Sequence, residues 1–152
     1  MRLVVQRVKY ASVKVDGEIK GEIGQGFLVL LGVKKGDTEK DLEYCAKKLV
    51  GLRIFEDEDE KMNLSVKDVN GDFLIISQFT LYADTKKGNR PSFVMAEEPE
   101  KANQMYEMFL EKVRNDSGRK VEKGVFGADM KVELLNDGPV TIIIESPFSM
   151  EQ

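Results

Sequence analysis

The chain has 152 residues, 41% of them apolar and 33% charged, with a net charge of −4. That length supports a hydrophobic core of its own, and the negative charge excludes a generally basic nucleic-acid coat, so any contact with RNA must be local. A single cysteine excludes an internal disulfide and fits a reducing, cytoplasmic compartment, while the absence of histidine removes Ser-His-Asp and Cys-His catalysis and the commonest transition-metal ligand.

No apolar run approaches the roughly 18 residues of a membrane span. The opening MRLVVQRVKY alternates as a strand does, with Leu3–Val8 at its centre, and lacks the cleavage site of a signal peptide. Val13–Val15 and Glu18–Ile23 flank Asp16-Gly17, a two-residue hairpin signal. The apolar run Phe27–Val33 predicts a buried strand. Thr38 then opens a helix, with Asp41 placed for a capping box. Leu42, Cys45, Ala46 and Leu49 form its buried face, and Gly51 its stop. Cys45 lies in that stripe and reads as a small core residue.

Leu52–Phe55 suggests a short strand. The acidic run EDEDE, Glu56–Glu60, matches no EF-hand spacing and reads as a solvated loop rather than a metal site. Asn70-Gly71 is expected to turn a strand at Val66–Val69 into an antiparallel hairpin with the strand that follows. Pro99 suits a first helical turn. Ala102, Met105, Tyr106, Phe109, Leu110 and Val113 continue at helical spacing to an end near Asn115–Gly118. GVFG at Gly124–Gly127 predicts a bend. Met130, Val132 and Leu134 share one face of a strand, Asn136–Gly138 is expected to turn the chain, and Val140–Ile144 forms a last strand. Three hairpins and two helices predict one α+β domain over residues 1–152: mainly antiparallel, with the two amphipathic helices packed on the sheet.

The central stretch is DFLIISQFTLYAD, Asp72–Asp84, apolar on both alternating faces and so a strand covered on both sides. Into it the sequence sets Ser77, Gln78 and Thr80. A buried polar group without a partner costs roughly 1–3 kcal/mol, so these three require either a protein network or a ligand. The run exceeds the common strand length of about 5–6 residues, which predicts a bend near Ser77–Gln78 that turns N–H groups out of the ladder. Beside it, Lys86, Lys87 and Arg90 surround Gly88 in one loop. They are either ordinary solvated cations or phosphate contacts.

SQFTLYAD at Ser77–Asp84, RPSF at Arg90–Phe93 and NDGPVT at Asn136–Thr141 together closely resemble the D-aminoacyl-tRNA deacylases, over Met1 to about Glu145. The resemblance implies a compact β-barrel-like sheet with two helices. It also implies hydrolysis of the ester between tRNA and a D-amino acid or glycine, by a homodimer without cofactor or metal. On that likeness Gly138-Pro139 is cis and enters the partner's active site, where its carbonyls recognise the α-amino group. Arg7 fixes the motif. Taken alone, Gly138-Pro139 reads as a plain trans turn, since only about 5–6% of X–Pro bonds are cis, and Arg7 reads as an exposed strand cation.

Ser77, Gln78, Phe79 and Thr80 are the candidate catalytic residues. Thr80 could serve as nucleophile, but it needs a base, and Asp84 lies about 13 Å along an extended strand. Hydrolysis assisted by the terminal ribose hydroxyl, with N–H groups near Gln78–Thr80 holding the oxyanion, is the expectation that the resemblance supports. The competing reading is a non-catalytic RNA- or nucleotide-binding module built on Lys86, Lys87 and Arg90. The absence of RRM-type stacking motifs counts against it.

Overall fold

A computed structural model describes residues 1–148, so the last four residues of the expected domain lie outside the described ones. The elements in order are β1 (Arg2–Val15), β2 (Glu18–Ile23), β3 (Gly26–Gly32), α1 (Glu39–Gly51), β4 (Phe55–Glu56), β5 (Met62–Leu64) and β6 (Asp72–Ser77). A 3-10 turn (Phe79–Tyr82) follows, then α2 (Pro99–Ser117), β7 (Val121–Lys123) and β8 (Lys131–Glu145). The main sheet runs β2-β1-β3-β6-β7, with β8 on β1. β1 is long enough to pair along its first half with β3, along its second half with β2, and along nearly its whole length with β8, all antiparallel. β6 joins β3 and β7 in parallel. The fold is α+β, a nearly closed barrel-like sheet carrying two helices.

Two apolar clusters follow from the two faces of these strands. Leu3, Val5, Phe27, Val29, Phe73 and Ile75 pack against Leu42, Cys45 and Leu49 of α1 and Tyr106, Phe109 and Val113 of α2. The alternate residues Val8, Val13, Leu28, Leu74 and Ile76 fill the smaller interior of the rolled sheet, with Met130, Val132 and Leu134 packed on it. The alternation expected along β6 is therefore real: Phe73 to Ile76 are all buried, on opposite sides. Cys45 sits in the larger cluster, its thiol pushed up to about 12 by burial. At α1, Thr38 and Asp41 form the expected capping box. Pro99 opens α2 behind Glu98, and Gly118 ends it in a left-handed cap at φ 66°.

Three expectations fail. Residues 66–69 form turns, not a strand antiparallel to β6. Ser65 and Asp68 bond each other's backbone N–H groups, and the Gly71 N–H returns to the Val66 carbonyl at 2.8 Å, which winds the segment up. Both edges of β6 are taken by β3 and β7. Next, Leu52–Phe55 yields only Phe55 to a strand, and β4 pairs with β5 across the acidic turn. There the Asp57 carboxylate accepts from the Asp59 and Lys61 N–H groups and the Asn63 amide, so EDEDE closes a hairpin. Finally, Asn136–Gly138 does not reverse the chain. β8 continues through it, and the register steps from Gln6↔Thr141 to Val8↔Asn136, leaving residues 137–140 looped out opposite Arg7.

Candidate active site

The long apolar run stops being a strand at Ser77. Gln78 donates its N–H to the Leu31 carbonyl at 2.8 Å, the last bond of the run to β3. The chain then coils into the 3-10 turn Phe79–Tyr82, where a continuous strand reading would have placed alternating residues. Gly32, at the end of β3, permits this. A Cβ there would stand 3.0 Å from Leu81 Cβ and 3.2 Å from the Tyr82 ring, so glycine lets the turn lie close against the strand without displacing either side chain. The first N–H groups of such a turn, those of Phe79 and Thr80, have no acceptor within it.

Ser77, Gln78, Phe79 and Thr80 all line one cavity of about 580 Å³. The Gln78 side-chain amide donates to Thr80 Oγ1 at 2.9 Å, so the hydroxyl is held by an amide rather than by a base. Asp84 is turned elsewhere: its carboxylate accepts from the Lys86 N–H, and its backbone makes a two-bond bridge with Ser92 at 2.7 and 2.8 Å. That bridge closes the 85–91 loop and carries Lys86, Lys87 and Arg90 outward, all exposed. It also sets Phe93 edge-on to Phe79, ring centroids 5.0 Å apart, so the SQFTLYAD and RPSF motifs meet in space.

The remaining walls were not legible from local motifs. Lys35, Glu97, Ala102, Phe126 and Met130 reach the cavity from three separate segments. GVFG predicts the bend at Phe126 but not its destination. Burial favours a raised pKa for Glu97, but the Glu98 N–H and Lys101, with the Gly36 backbone, outweigh it and hold the carboxyl below its ordinary value. Glu97 thus sets a carboxylate on the same cavity lining as Lys35, beside the apolar Ala102, Phe126 and Met130.

Arg7, Gly138 and Pro139 stand together, but away from this cavity. Arg7 is 5% exposed, not an exposed strand cation. Its Nε donates to the Asp137 carbonyl at 2.9 Å and its Nη1 to the Ile54 carbonyl at 2.7 Å. Asn136 closes the loop from the other side: Oδ1 accepts from the Val140 N–H at 2.7 Å, and Nδ2 donates to the Val140 carbonyl and Thr141 Oγ1. The Gly138-Pro139 peptide is cis, and both residues are exposed. Gly138 has φ 143°, and a Cβ on it would meet Val140 Cγ2 at 2.6 Å and Arg7 Nη2 at 3.1 Å. None of the three residues lines the Ser77–Thr80 cavity of its own chain.

The family model for D-Tyr-tRNA(Tyr) deacylase matches residues 4–145. Proteins named D-aminoacyl-tRNA deacylase from Parabacteroides distasonis and Thermosipho melanesiensis are 56% and 57% identical, each over 96% of this chain and 97% of the relative. A solved structure of a c-Myc DNA Unwinding Element Binding Protein superposes with a TM-score of 0.92 at 47% identity, covering 97% of this chain and 99% of that one. A probable eukaryotic D-amino acid tRNA deacylase, 18% identical, shares the fold at a TM-score of 0.82 over 95% and 98% of the two chains. The chain belongs to the D-Tyr-tRNA(Tyr) deacylase family, which is a family of enzymes.

Proposed function

We propose that the protein hydrolyses the ester of D-aminoacyl-tRNA, and of glycyl-tRNA, in a homodimer whose cavities are each completed by the Gly138-Pro139 loop of the partner copy. One observation carries the reading. The four SQFT side chains converge on a cavity, whereas the rigidly held Gly138-Pro139 loop is presented to solvent, outside its own chain's cavity. A loop fixed from beneath by Arg7 and from the side by Asn136, yet exposed at its tip, suits insertion into a second molecule. Its carbonyls would accept hydrogen bonds from the substrate's α-ammonium, and its backbone would collide with an L side chain. Main-chain carbonyls do not distinguish one side chain from another, so many D-amino acids fit, and glycine offers nothing to reject.

The tRNA terminal adenosine enters the Ser77–Thr80 cavity, whose Phe79, Phe93, Phe126 and Met130 walls suit a planar base. Ser77 and Gln78 position the ester and ribose. The N–H groups of Phe79 and Thr80 receive the oxyanion, as acyl transfer requires. Thr80 Oγ1 already accepts from Gln78, and no carboxylate, amine or imidazole is bonded to it among the described residues, so the ribose 2′-hydroxyl orients the attacking water. Lys86, Lys87 and Arg90 contact tRNA phosphates.

The test is ester loss from D-Tyr-tRNA and L-Tyr-tRNA without added metal, repeated with D-Tyr-tRNA ending in 2′-deoxyadenosine. Cleavage is expected of the D ester alone, and is expected to vanish with the deoxy substrate. Binding of nucleic acid with neither ester cleaved would instead favour a non-catalytic module, the reading to which the c-Myc DNA Unwinding Element Binding Protein name lends weight.

A further inference from the structure

A second concavity of about 360 Å³ lies behind the cavity wall. The partition between them is one antiparallel bridge, Lys34↔Ala96, flanked by the hydrogen bond from Lys35 N–H to the Met95 carbonyl at 2.9 Å. Neighbouring residues along it face opposite ways. Lys35 and Ala96 line the cavity, whereas Lys34 and Met95 line the cleft. The 3-10 turn repeats the pattern: Phe79 and Thr80 line the cavity, and Tyr82 the cleft. At about 2.0 Å rise per residue, that four-residue turn is comparable in length with the step between successive phosphates of an extended strand.

The cleft gathers Arg2, Lys34 and Lys86, against the carboxylates of Asp84 and Glu145. Three cationic side chains thus stand together on one cleft of a chain that carries −4 as a whole. Arg2 is firmly oriented. Its Nη1 donates to the Leu81 carbonyl at 2.7 Å, its Nη2 to Glu145 at 2.8 Å, and its guanidinium lies 4.8 Å from the centre of the Tyr82 ring. Lys86 enters from the exposed 85–91 loop, and Thr85 adds a hydroxyl beside it.

We infer that this cleft binds the phosphodiester backbone of the single-stranded 3′ end of the RNA, immediately upstream of the nucleotide held in the cavity. The inference rests on the deacylase reading and adds Arg2, Lys34 and Thr85 to the groups that hold the RNA. Cations that neutralise phosphates release counterions, so their contribution is read directly in the salt dependence.

The test compares D-tyrosyl-tRNA with 3′-O-(D-tyrosyl)adenosine, which has the same ester and nucleoside but no phosphate. In K34Q/K86Q the ratio of kcat/KM on tRNA to that on the adenosine ester should fall about tenfold, through KM. The log–log salt dependence on tRNA should flatten by roughly 1.4, about 0.7 for each phosphate of a single strand that is no longer neutralised. K34R/K86R should recover both. Thr85→Glu, at an exposed position, should lower the same ratio without touching the fold. An unchanged ratio or salt slope, a loss shared equally by the two esters, or failure of the arginine pair to rescue would overturn the cleft. A wild-type protein that cleaves neither ester would overturn the deacylase reading and the cleft with it. Wild-type cleavage with an unaltered ratio in the variants would remove the cleft alone.

Discussion

At Thr80 the hydrogen-bond pattern favours one of two chemistries. A threonine nucleophile must lose its proton to a base, but here Oγ1 accepts from the Gln78 amide, and Asp84 is committed to the backbone of its own loop. Thr80→Ala should therefore keep kcat within about tenfold of wild type, well short of the loss from removing a covalent nucleophile. A trapped acyl-Thr80 ester in quenched reactions would contradict this. Gly138 is the opposite case, since its φ of 143° and the 2.6 Å approach to Val140 leave no room for a Cβ. Gly138→Ala should displace the loop from the hold of Arg7 and Asn136, and lower discrimination between D- and L-Tyr-tRNA more than it lowers stability. Parallel deacylation and urea-unfolding measurements check that order. Ser77 to Thr80 could be singled out in the sequence because polar side chains interrupt an apolar run. Lys35, Glu97 and Phe126 could not, because each sits in an ordinary local context and gains its place only when distant segments cross.

Elements were legible where a local signal agreed with the tertiary demand. The capping box at Thr38 and Asp41, and the apolar stripes of α1 and α2, are of that kind. Asn70-Gly71 shows the opposite outcome: a hairpin signal was overridden because β3 and β7 already occupy both edges of β6. The bend at Ser77 was predictable from length, but the 3-10 turn beyond it depends on Gly32 of a different strand. Asp41 also joins α1 to the far end of the chain, since Ser146 Oγ donates to it at 2.7 Å. Burial favours a raised pKa for Asp41, but the Ser146 hydroxyl and the Thr38 N–H outweigh it and hold the carboxyl below its ordinary value. A depressed carboxyl stabilises the fold above its unfolded pKa, and that contribution is lost as pH falls through the folded value. Asp41→Ala should therefore cost about 2 kcal/mol at neutral pH, given the lost cap and the Ser146 O–H left without its acceptor, its oxygen still accepting from the Met1 ammonium. The difference from wild type should shrink as pH falls below the ordinary carboxylate range near 3.8. Urea midpoints at pH 7 and in acid measure it, and a constant difference would show that Asp41 acts only through packing.

At the scale of the whole molecule, the Ser77–Thr80 cavity and the Gly138-Pro139 loop do not meet within one chain, so the proposed reaction, which uses both, requires a second copy. Tyr10, Leu135 and Ile143 are large apolar residues of β1 and β8 left 44%, 48% and 64% exposed, on the strands that frame the Gly138-Pro139 loop. β8 pairs only with β1, so its outer edge has no strand partner among the described residues. Exposed apolar surface beside an unpaired edge is what association of two copies would cover. Sequence patterning marks these residues as strand positions but does not say that they remain uncovered. That depends on which strand ends the sheet. If each reaction centre is shared, two defective chains can repair one another. Gln78→Ala spoils the cavity and leaves the loop intact, whereas Gly138→Ala does the reverse. A dimer of one copy of each would contain one centre built wholly from wild-type parts and one built wholly from altered parts. With a twofold dimer and random exchange of equal amounts, D-selective activity should return to about a quarter of the wild-type value. A centre built within a single chain predicts no recovery on mixing, because every cavity would keep its own defect.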